Sequence, residues 1–112
     1  MKTFTVKTQY ETYENCTFTT NRYIADNSLA VEILTEDKEP LATITTCFVN
    51  ETLVKSESYM ESYIDTNNCP WAVRLLDSLN IARLTGSVKQ NGFCVYPTML
   101  FDMEELKKYC EE

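Results

Sequence analysis

The chain of 112 residues contains no histidine, and none of its five cysteines forms a Cys-x-x-Cys pair. Histidine is the most common general acid or base in enzymes and a frequent zinc ligand. Its absence excludes most zinc sites, His-based acid–base catalysis, and the Ser-His and Cys-His nucleophile pairs. We therefore predict no catalytic residue, no cofactor and no metal ligand. The enzyme class that stays open is a small one that uses carboxylates and tyrosine.

Long apolar runs are also missing. No run approaches the roughly 20 residues that a membrane-spanning helix requires, and the first six residues alternate like a strand instead of opening a signal peptide. We expect a soluble cytoplasmic protein without a membrane partner. The cysteines are odd in number and widely spaced, which favours free thiols over the alternative of disulfides; they are Cys16, Cys47, Cys69, Cys94 and Cys110.

Basic residues are few, since ten Lys and Arg oppose seventeen Asp and Glu and leave a formal net charge of −7. Affinity for a nucleic-acid backbone comes largely from cations that neutralise phosphates. The composition therefore works against direct nucleic-acid binding and favours a protein partner with a basic surface. The alternative is that the charge only keeps a small domain soluble.

Two hairpins are predicted in the first half of the chain. Residues 3–10 alternate apolar and polar side chains, and a Thr-rich strand over 16–24 follows a turn-rich stretch at 11–15. A second hairpin pairs Leu29–Leu34 with residues 41–49 across the hydrophilic tip at 36–39. Both faces of 41–49 are apolar, which is typical of a central strand.

The second half is predicted to combine strands with two helices. An exposed crossing at 50–57 leads to a strand over Tyr59–Ile64, and helical spacing then continues to an Asn80 stop. Residues 81–91 indicate a short strand or an irregular loop, and Asn91-Gly92 signals a tight turn. Pro97 places the final strand at an edge or gives it a bulge, and Asp102 caps a closing helix with Glu105 at the capping-box position.

This order predicts a single α+β domain over residues 1–112. We expect a largely antiparallel sheet of five to six strands, with two helices packed on one face.

Acidic and aromatic side chains supply the candidate interaction residues. Tyrosine is enriched at protein interfaces, and carboxylates suit a basic partner. For the acids the alternatives are a solvated hairpin turn and, near Asp65, a helix cap; for the aromatics the alternative is core packing. The predicted residues are Glu36, Asp37, Glu39, Tyr59, Tyr63, Asp65, Trp71 and Tyr96.

Three segments resemble a family of small bacterial proteins known as domain of unknown function 4313. They are Tyr-Ile-Asp-Thr-Asn-Asn-Cys-Pro-Trp at 63–71, Thr85-Gly86, and Gly-Phe-Cys-Val-Tyr-Pro at 92–97. The hairpin at 29–46 is similar as well, so the resemblance covers about the last three quarters of the chain. It implies a setting on mobile elements and carries over no activity or catalytic residue.

The function that we predict is a non-enzymatic binding protein of a mobile element. It would engage a nucleic-acid-handling host defence enzyme as an acidic inhibitor of the anti-restriction or anti-CRISPR type. The alternative is a structural or regulatory module, namely a homodimer joined through the strand around Tyr96 and Pro97.

Overall fold

A computed structural model describes residues 1–48 and 51–111 of the chain. These residues form an α+β fold, with six strands followed by a helix, two more strands and a second helix. The strands are β1 (Phe4–Lys7), β2 (Thr12–Arg22), β3 (Leu29–Leu34), β4 (Pro40–Thr43), β5 (Thr45–Thr46), β6 (Tyr59–Ile64), β7 (Ala82–Asn91) and β8 (Cys94–Asp102), and the helices are α1 (Ala72–Ser78) and α2 (Met103–Lys107).

The strands form two four-stranded antiparallel sheets instead of the one sheet of five to six strands that the sequence predicts. The first sheet has the order β1-β2-β3-β4, and the second has the order β5-β6-β8-β7. The predicted class and the antiparallel pairing are confirmed. The number of strands in one sheet is wrong because the strand predicted at 41–49 is divided between the two sheets.

The division occurs at Ile44, which lies between β4 and β5 and is fully buried. Its N–H donates to the Val31 carbonyl of the first sheet at 3.0 Å, and its carbonyl accepts from the N–H of Asp65 at 2.9 Å. One residue thus connects both sheets. The apolar pattern on both faces of this stretch reflects the corner and not a central strand. The predicted strand end at Val49 and the start of the crossing at Asn50 lie outside the described residues.

Both predicted hairpins are confirmed, with one correction to the first turn. The chain turns at 8–11, where the Thr8 N–H donates to the Glu11 carbonyl at 2.9 Å. The stretch at 11–15 that was predicted to turn belongs mostly to β2. Its Asn15 has a φ of 58°, a conformation that Asn tolerates better than most residues, and the β1–β2 register shifts beside it.

The second sheet contains the least accurately predicted region. Of the two alternatives for residues 81–91, the strand is observed, and β7 is longer than the short strand that was expected. Its register against β8 shifts between Leu84 and Val88. Gly86 lies in this interval with a φ of 94°, a value that glycine adopts without steric cost. The following turn at Gly92 is confirmed, because residues 91 and 94 pair across it.

Strand β8 is central and not at an edge, since it pairs with both β6 and β7. The structure accommodates Pro97 because β8 pairs with β6 only from Thr98 onward, one residue after the proline. The missing N–H of Pro97 therefore interrupts no bond of that ladder. On the other side Pro97 lies opposite Val88, next to a register shift whose extra residues belong to β7. The prediction that the strand with Pro97 lies at an edge or carries a bulge is therefore wrong, since the bulge is in its neighbour.

Helix α1 ends as the sequence predicts. Asn80 has a φ of 57°, and its N–H donates to the Asp77 carbonyl at 3.0 Å. The N–H of the buried Ile81 donates to the Leu76 carbonyl at 3.1 Å. These two bonds form a Schellman motif, which satisfies carbonyls that the helix end would leave without partners.

The start of α1 differs from the expectation. Trp71 is the N-cap and makes no side-chain capping bond. Asp65 instead organises the turn that precedes the helix, by accepting from the backbone N–H of Asn68 at 3.2 Å and from its side-chain amide at 2.8 Å.

Helix α2 begins at the predicted cap. The Asp102 carboxylate accepts from the N–H groups of Glu104 and Glu105, at 3.1 and 3.3 Å. The side chain of Glu105 accepts from Lys108 at 3.0 Å, so the reciprocal bond of a capping box is replaced by an ion pair on the helix. After the helix, the Tyr109 carbonyl accepts from the Phe18 N–H at 2.9 Å, which joins the chain end to β2.

The sequence predicts that the two helices pack on one sheet face, and this prediction is wrong. Helix α1 contacts β7, and α2 contacts β8 and leads to the residues that meet β2. Their buried residues, Ala72 and Leu76 of α1 and Met103 and Leu106 of α2, nevertheless enter the same apolar cluster as the inner faces of both sheets. The helices therefore close different parts of one core.

All five cysteines are free, as predicted. Cys16 and Cys69 are buried and the other three are half-buried. Burial raises the pKa of the Cys69 thiol to about 11, because a low-dielectric surrounding disfavours the thiolate. This thiol is a packing group and not an activated nucleophile. In the described part of the chain, no helix has the length and apolar character that crossing a membrane requires.

Candidate functional site

Three of the predicted tyrosines share the side of the second sheet that faces away from the core. Tyr59, Glu61 and Tyr63 alternate along β6 with the buried Met60, Ser62 and Ile64. Because side chains alternate between the two faces of a strand, the first three lie on the outer side. We call this surface the outer face; it comprises Phe48, Glu51, Tyr59, Glu61, Tyr63, Lys89 and Tyr96.

Strand register adds Tyr96 to this face. Tyr63 lies opposite Thr98 of β8, and Tyr96 is two residues before Thr98 on the same side. Lys89 of β7 lies opposite Tyr96. Directly paired residues of antiparallel strands point to the same face. Tyr63, Tyr96 and Lys89 thus lie near one another on this face although they come from three strands, and Tyr59 lies at the far end of β6.

Phe48 is the centre of the aromatic part of the outer face. Its ring packs edge-on against Tyr63 with 5.0 Å between the ring centroids, and it packs at a tilt against Tyr96 at 5.1 Å. Both distances are typical of favourable aromatic pairs. Tyr63 is only 6% exposed beneath this contact. A partner would therefore touch Phe48 and Tyr96, while Tyr63 packs against Phe48 from below.

One ion pair borders the aromatic rings. The Lys89 ammonium contacts the Glu51 carboxylate and also lies over the Phe48 ring, 6.0 Å from its centroid. Both side chains are partly exposed, so the pair orients Phe48 more than it stabilises the fold. The nearby ammonium holds the pKa of Glu51 below its ordinary value, because an adjacent positive charge favours the carboxylate.

The two tyrosine hydroxyls of the cluster stay protonated at neutral pH. Burial raises the pKa of Tyr63, and the negative charge of Glu51 adds to the shift. A hydrogen bond with the Cys94 side chain raises the pKa of Tyr96, and partial burial contributes as well. The outer face therefore offers neutral hydroxyls that can donate or accept a hydrogen bond.

Asp65 lies at the border of the outer face, where it has a structural role. Its carboxylate is engaged by Asn68 in the turn before α1, and the Thr66 hydroxyl in the same turn donates to the Val95 carbonyl at 3.2 Å. This turn ties the end of β6 to β8 beside Tyr96. Tyr59, at the other end of β6, is the most accessible tyrosine of the face at 45% exposure.

The acidic tip, Glu36, Asp37 and Glu39, is a separate surface on the first sheet. All three side chains are exposed at the β3–β4 turn. Glu36 accepts from the Asn15 amide at 3.1 Å, and Lys38 lies 3.7 Å from Glu111 near the chain end. The solvated hairpin turn that the sequence suggests is the observed geometry.

Trp71 belongs to neither surface. It is half-buried at the start of α1 and lines a groove between this helix and β1. The eight predicted residues therefore occupy three places: the outer face with its border, the acidic tip and the groove.

Phe48, Glu51 and Lys89 are residues of the outer face that the sequence prediction missed. The sequence predicts Phe48 in a central strand, Glu51 in an exposed crossing and Lys89 in a short strand or an irregular loop. One usable signal was present, because Arg83, Thr85, Ser87 and Lys89 alternate with Leu84 and Val88, which is the period of a half-buried strand. Gly86 within this run obscured it.

No metal site is found in the part of the chain that the structure describes, since no group of three or more Cys, Asp or Glu side chains could hold an ion there. The outer face brings together rings, hydroxyls and carboxylates. Such a surface suits contact with another macromolecule.

The resemblance noted in the sequence is confirmed by a family comparison. The model of the family described as Domain of unknown function (DUF4313) matches residues 8–112. The chain belongs to the DUF4313 family. The match extends further towards the start of the chain than the last three quarters on which the resemblance rested. No match was found for this DUF4313 chain among curated proteins or among solved structures.

Proposed function

We propose that this DUF4313 chain is a non-enzymatic protein-binding module that contacts its partner through the outer face. One observation carries the proposal: Phe48 packs against Tyr96 on the face of the second sheet that also bears Tyr59. The opposite face of this sheet contributes Met60, Met99 and Phe101 to the core. Tyrosine and phenylalanine bring large contact area with little loss of side-chain entropy. The rings of Phe48 and Tyr96 pack against each other before a partner arrives, which lowers the cost of association.

The charge around the rings favours a basic partner. The carboxylates on and beside the face, from Glu51, Glu61, Asp65 and Asp102, outnumber the cations Arg83 and Lys89. A chain of net charge −7 also attracts a positively charged partner over distance. We propose as the partner a nucleic-acid-handling host defence enzyme that a mobile element must inhibit, of the anti-restriction or anti-CRISPR type. The acidic side chains would occupy the groove that the enzyme uses for phosphates.

Affinity capture from a bacterial lysate tests this function. Three baits are compared: the unmodified chain, an outer-face variant and a matched control variant. The outer-face variant carries Tyr59→Ser, Glu61→Lys and Tyr96→Ser. The control variant carries Tyr10→Ser and Glu14→Lys, at exposed residues of the β1–β2 hairpin. We expect the unmodified chain and the control to retain a DNA- or RNA-binding protein at low salt and to release it at high salt. The outer-face variant should retain at least about tenfold less, which is roughly 1.4 kcal/mol.

The proposal is wrong if the outer-face variant captures as much as the control. It also fails if the purified chain, added in excess, leaves the captured enzyme fully active.

A second candidate function is a regulatory homodimer. The sequence placed its interface at Tyr96 and Pro97, but these residues lie on the central strand β8. Among the described strands, β7 is an edge strand of this sheet and is much longer than β5, the other edge strand. Pairing of two β7 edges would join two sheets into one. Sedimentation of the chain over a wide concentration range separates the candidates, because a mass that stays monomeric excludes the dimer.

A further inference from the structure

A groove of about 1180 Å³ lies between strand β1 and helix α1, apart from the outer face. Its floor includes the buried Val6 and Met99, and α1 contributes the half-buried Trp71, Val73 and Leu75. Leu84 of β7 adds a side chain that is 55% exposed. A concave site with apolar side chains is the kind of surface that binds a ligand or a peptide segment.

The charged residues around this groove have the opposite sign to the chain as a whole. Lys7 and Arg74 line it, and neither forms an ion pair with the described residues; Asp77 is the one carboxylate in the lining. The groove is thus locally positive on a chain of net charge −7. At physiological ionic strength the Debye length is about 8 Å, so the nearby Lys7 and Arg74 dominate over remote carboxylates.

The wall formed by β1 is an open sheet edge. β1 is the first strand of its sheet and pairs only with β2 among the described strands. The polar Thr5, Lys7 and Gln9 stand along this edge in the groove. An edge strand presents alternate N–H and C=O groups that an extended segment can satisfy.

We propose that this groove binds an extended peptide segment with alternating apolar and acidic side chains, added as a strand to the edge of β1. The apolar side chains pack on Trp71, Val73 and Leu75. The acidic side chains point to the rim, where Lys7 and Arg74 pair with them. Main-chain bonds to β1 supply affinity, and the alternation supplies specificity. This second binding function uses other residues than the outer face and does not depend on it.

Trp71 provides the measurement, because it is the single Trp of the chain and lines the groove. The probe is a blocked synthetic peptide in which valine and glutamate alternate. It has about eight residues, which is a usual strand length. The matched peptide replaces every glutamate with lysine. We expect saturable change of the Trp71 fluorescence with the glutamate peptide and at least about tenfold weaker binding of the lysine peptide.

Chain variants test the two cations. Lys7→Gln with Arg74→Gln should weaken the glutamate peptide about tenfold, whereas Lys55→Gln with Lys107→Gln, two exposed cations outside the groove lining, should leave its affinity unchanged. Asp77→Asn removes the opposing carboxylate and should strengthen binding. Circular dichroism verifies that each variant is folded.

Backbone pairing is tested separately with a glutamate peptide that is N-methylated at every second residue. Methylation along the edge that meets β1 should abolish binding, and methylation along the other edge should not. The proposal is overturned if both peptides bind equally, if the cation variants bind as the unmodified chain does, or if neither methylated peptide loses affinity. Concentration-dependent burial of Trp71 without any peptide would also overturn it, since a second copy would then fill the groove.

Discussion

Phe48 shows how much a single residue can contribute to a surface that its local sequence does not reveal. The two residues before it are half-buried: Thr46 ends β5, and Cys47 follows the strand. Its ring contacts come from residues 63, 89 and 96, which belong to three other strands. A partner of the outer face would meet this ring between Lys89 and Tyr96. The position of the ring depends on the ion pair that Lys89 forms with Glu51.

The Glu51–Lys89 pair predicts an acid-sensitive change in the outer face. Because the folded state lowers the pKa of Glu51 from its ordinary value of 4.5, the contact contributes stability above pH 4.5 and loses it as the pH falls through the lower folded value. We expect the NMR ring resonances of Phe48 and Tyr96 to shift between about pH 5 and pH 3. Glu51→Gln should remove this step, and Glu57→Gln should preserve it. An identical pH profile in both variants would contradict the assignment to Glu51.

At the scale of elements, α1 is a short helix whose end is better determined than its start. Seven residues are too few for a stable isolated helix, so packing of Ala72 and Leu76 and the Schellman bonds at its C-terminus must hold it. Asn80 supplies the left-handed residue that these bonds require. The same helix forms a wall of the groove, so its position affects the proposed peptide site.

Substitutions at Asn80 test this account. Asn80 has a φ of 57°, in the left-handed region, which Asn tolerates because its short polar side chain can form local hydrogen bonds. Alanine lacks such a side chain, so Asn80→Ala should lower the free energy of unfolding by about 1 kcal/mol. Asn80→Gly should be neutral or slightly stabilising. Asn67→Ala, at an exposed residue without positive φ, is the control and should change stability by less than about 0.5 kcal/mol. Urea unfolding measures all three, and equal effects of Ala and Gly at residue 80 would contradict the prediction.

At the scale of the whole molecule, the two sheets are held together by a small buried junction. Ile44 bonds to both sheets through its backbone, the Thr45 hydroxyl accepts from the Val31 N–H at 3.1 Å, and the Ser62 hydroxyl donates to the Leu29 carbonyl at 2.8 Å. These groups are buried, so each unmade bond would carry a large desolvation cost. The junction fixes the angle at which the outer face and the groove are presented.

The junction can be tested with a pair of isoleucines in opposite environments. Ile44→Ala removes a side chain that is fully buried, and it should destabilise the fold by about 3 kcal/mol. Ile24→Ala removes one that is fully exposed and should cost less than about 0.5 kcal/mol. Thermal and urea unfolding give both values. A cost below about 1 kcal/mol for Ile44→Ala would show that the corner is not part of the cooperative core.

The sequence by itself determined the features that depend on a few neighbouring residues. These include the two hairpins, the turn at Gly92, the end of α1 at Asn80, the Asp102 cap, the free cysteines and the lack of any histidine-based site. Each of them follows from local backbone preferences or from composition, which act within one turn or one strand.

Only the tertiary structure decided how the strands are shared between two sheets and which side chains meet. The corner at Ile44, the central place of β8 and the assembly of Phe48, Glu51 and Lys89 all depend on pairing between distant segments. Alternation along a strand shows that it has two faces, but its pairing partners decide which face is covered. For this reason the sequence located the tyrosines, and the fold determined that Tyr59 and Tyr96 face outward while Tyr63 is buried against Phe48.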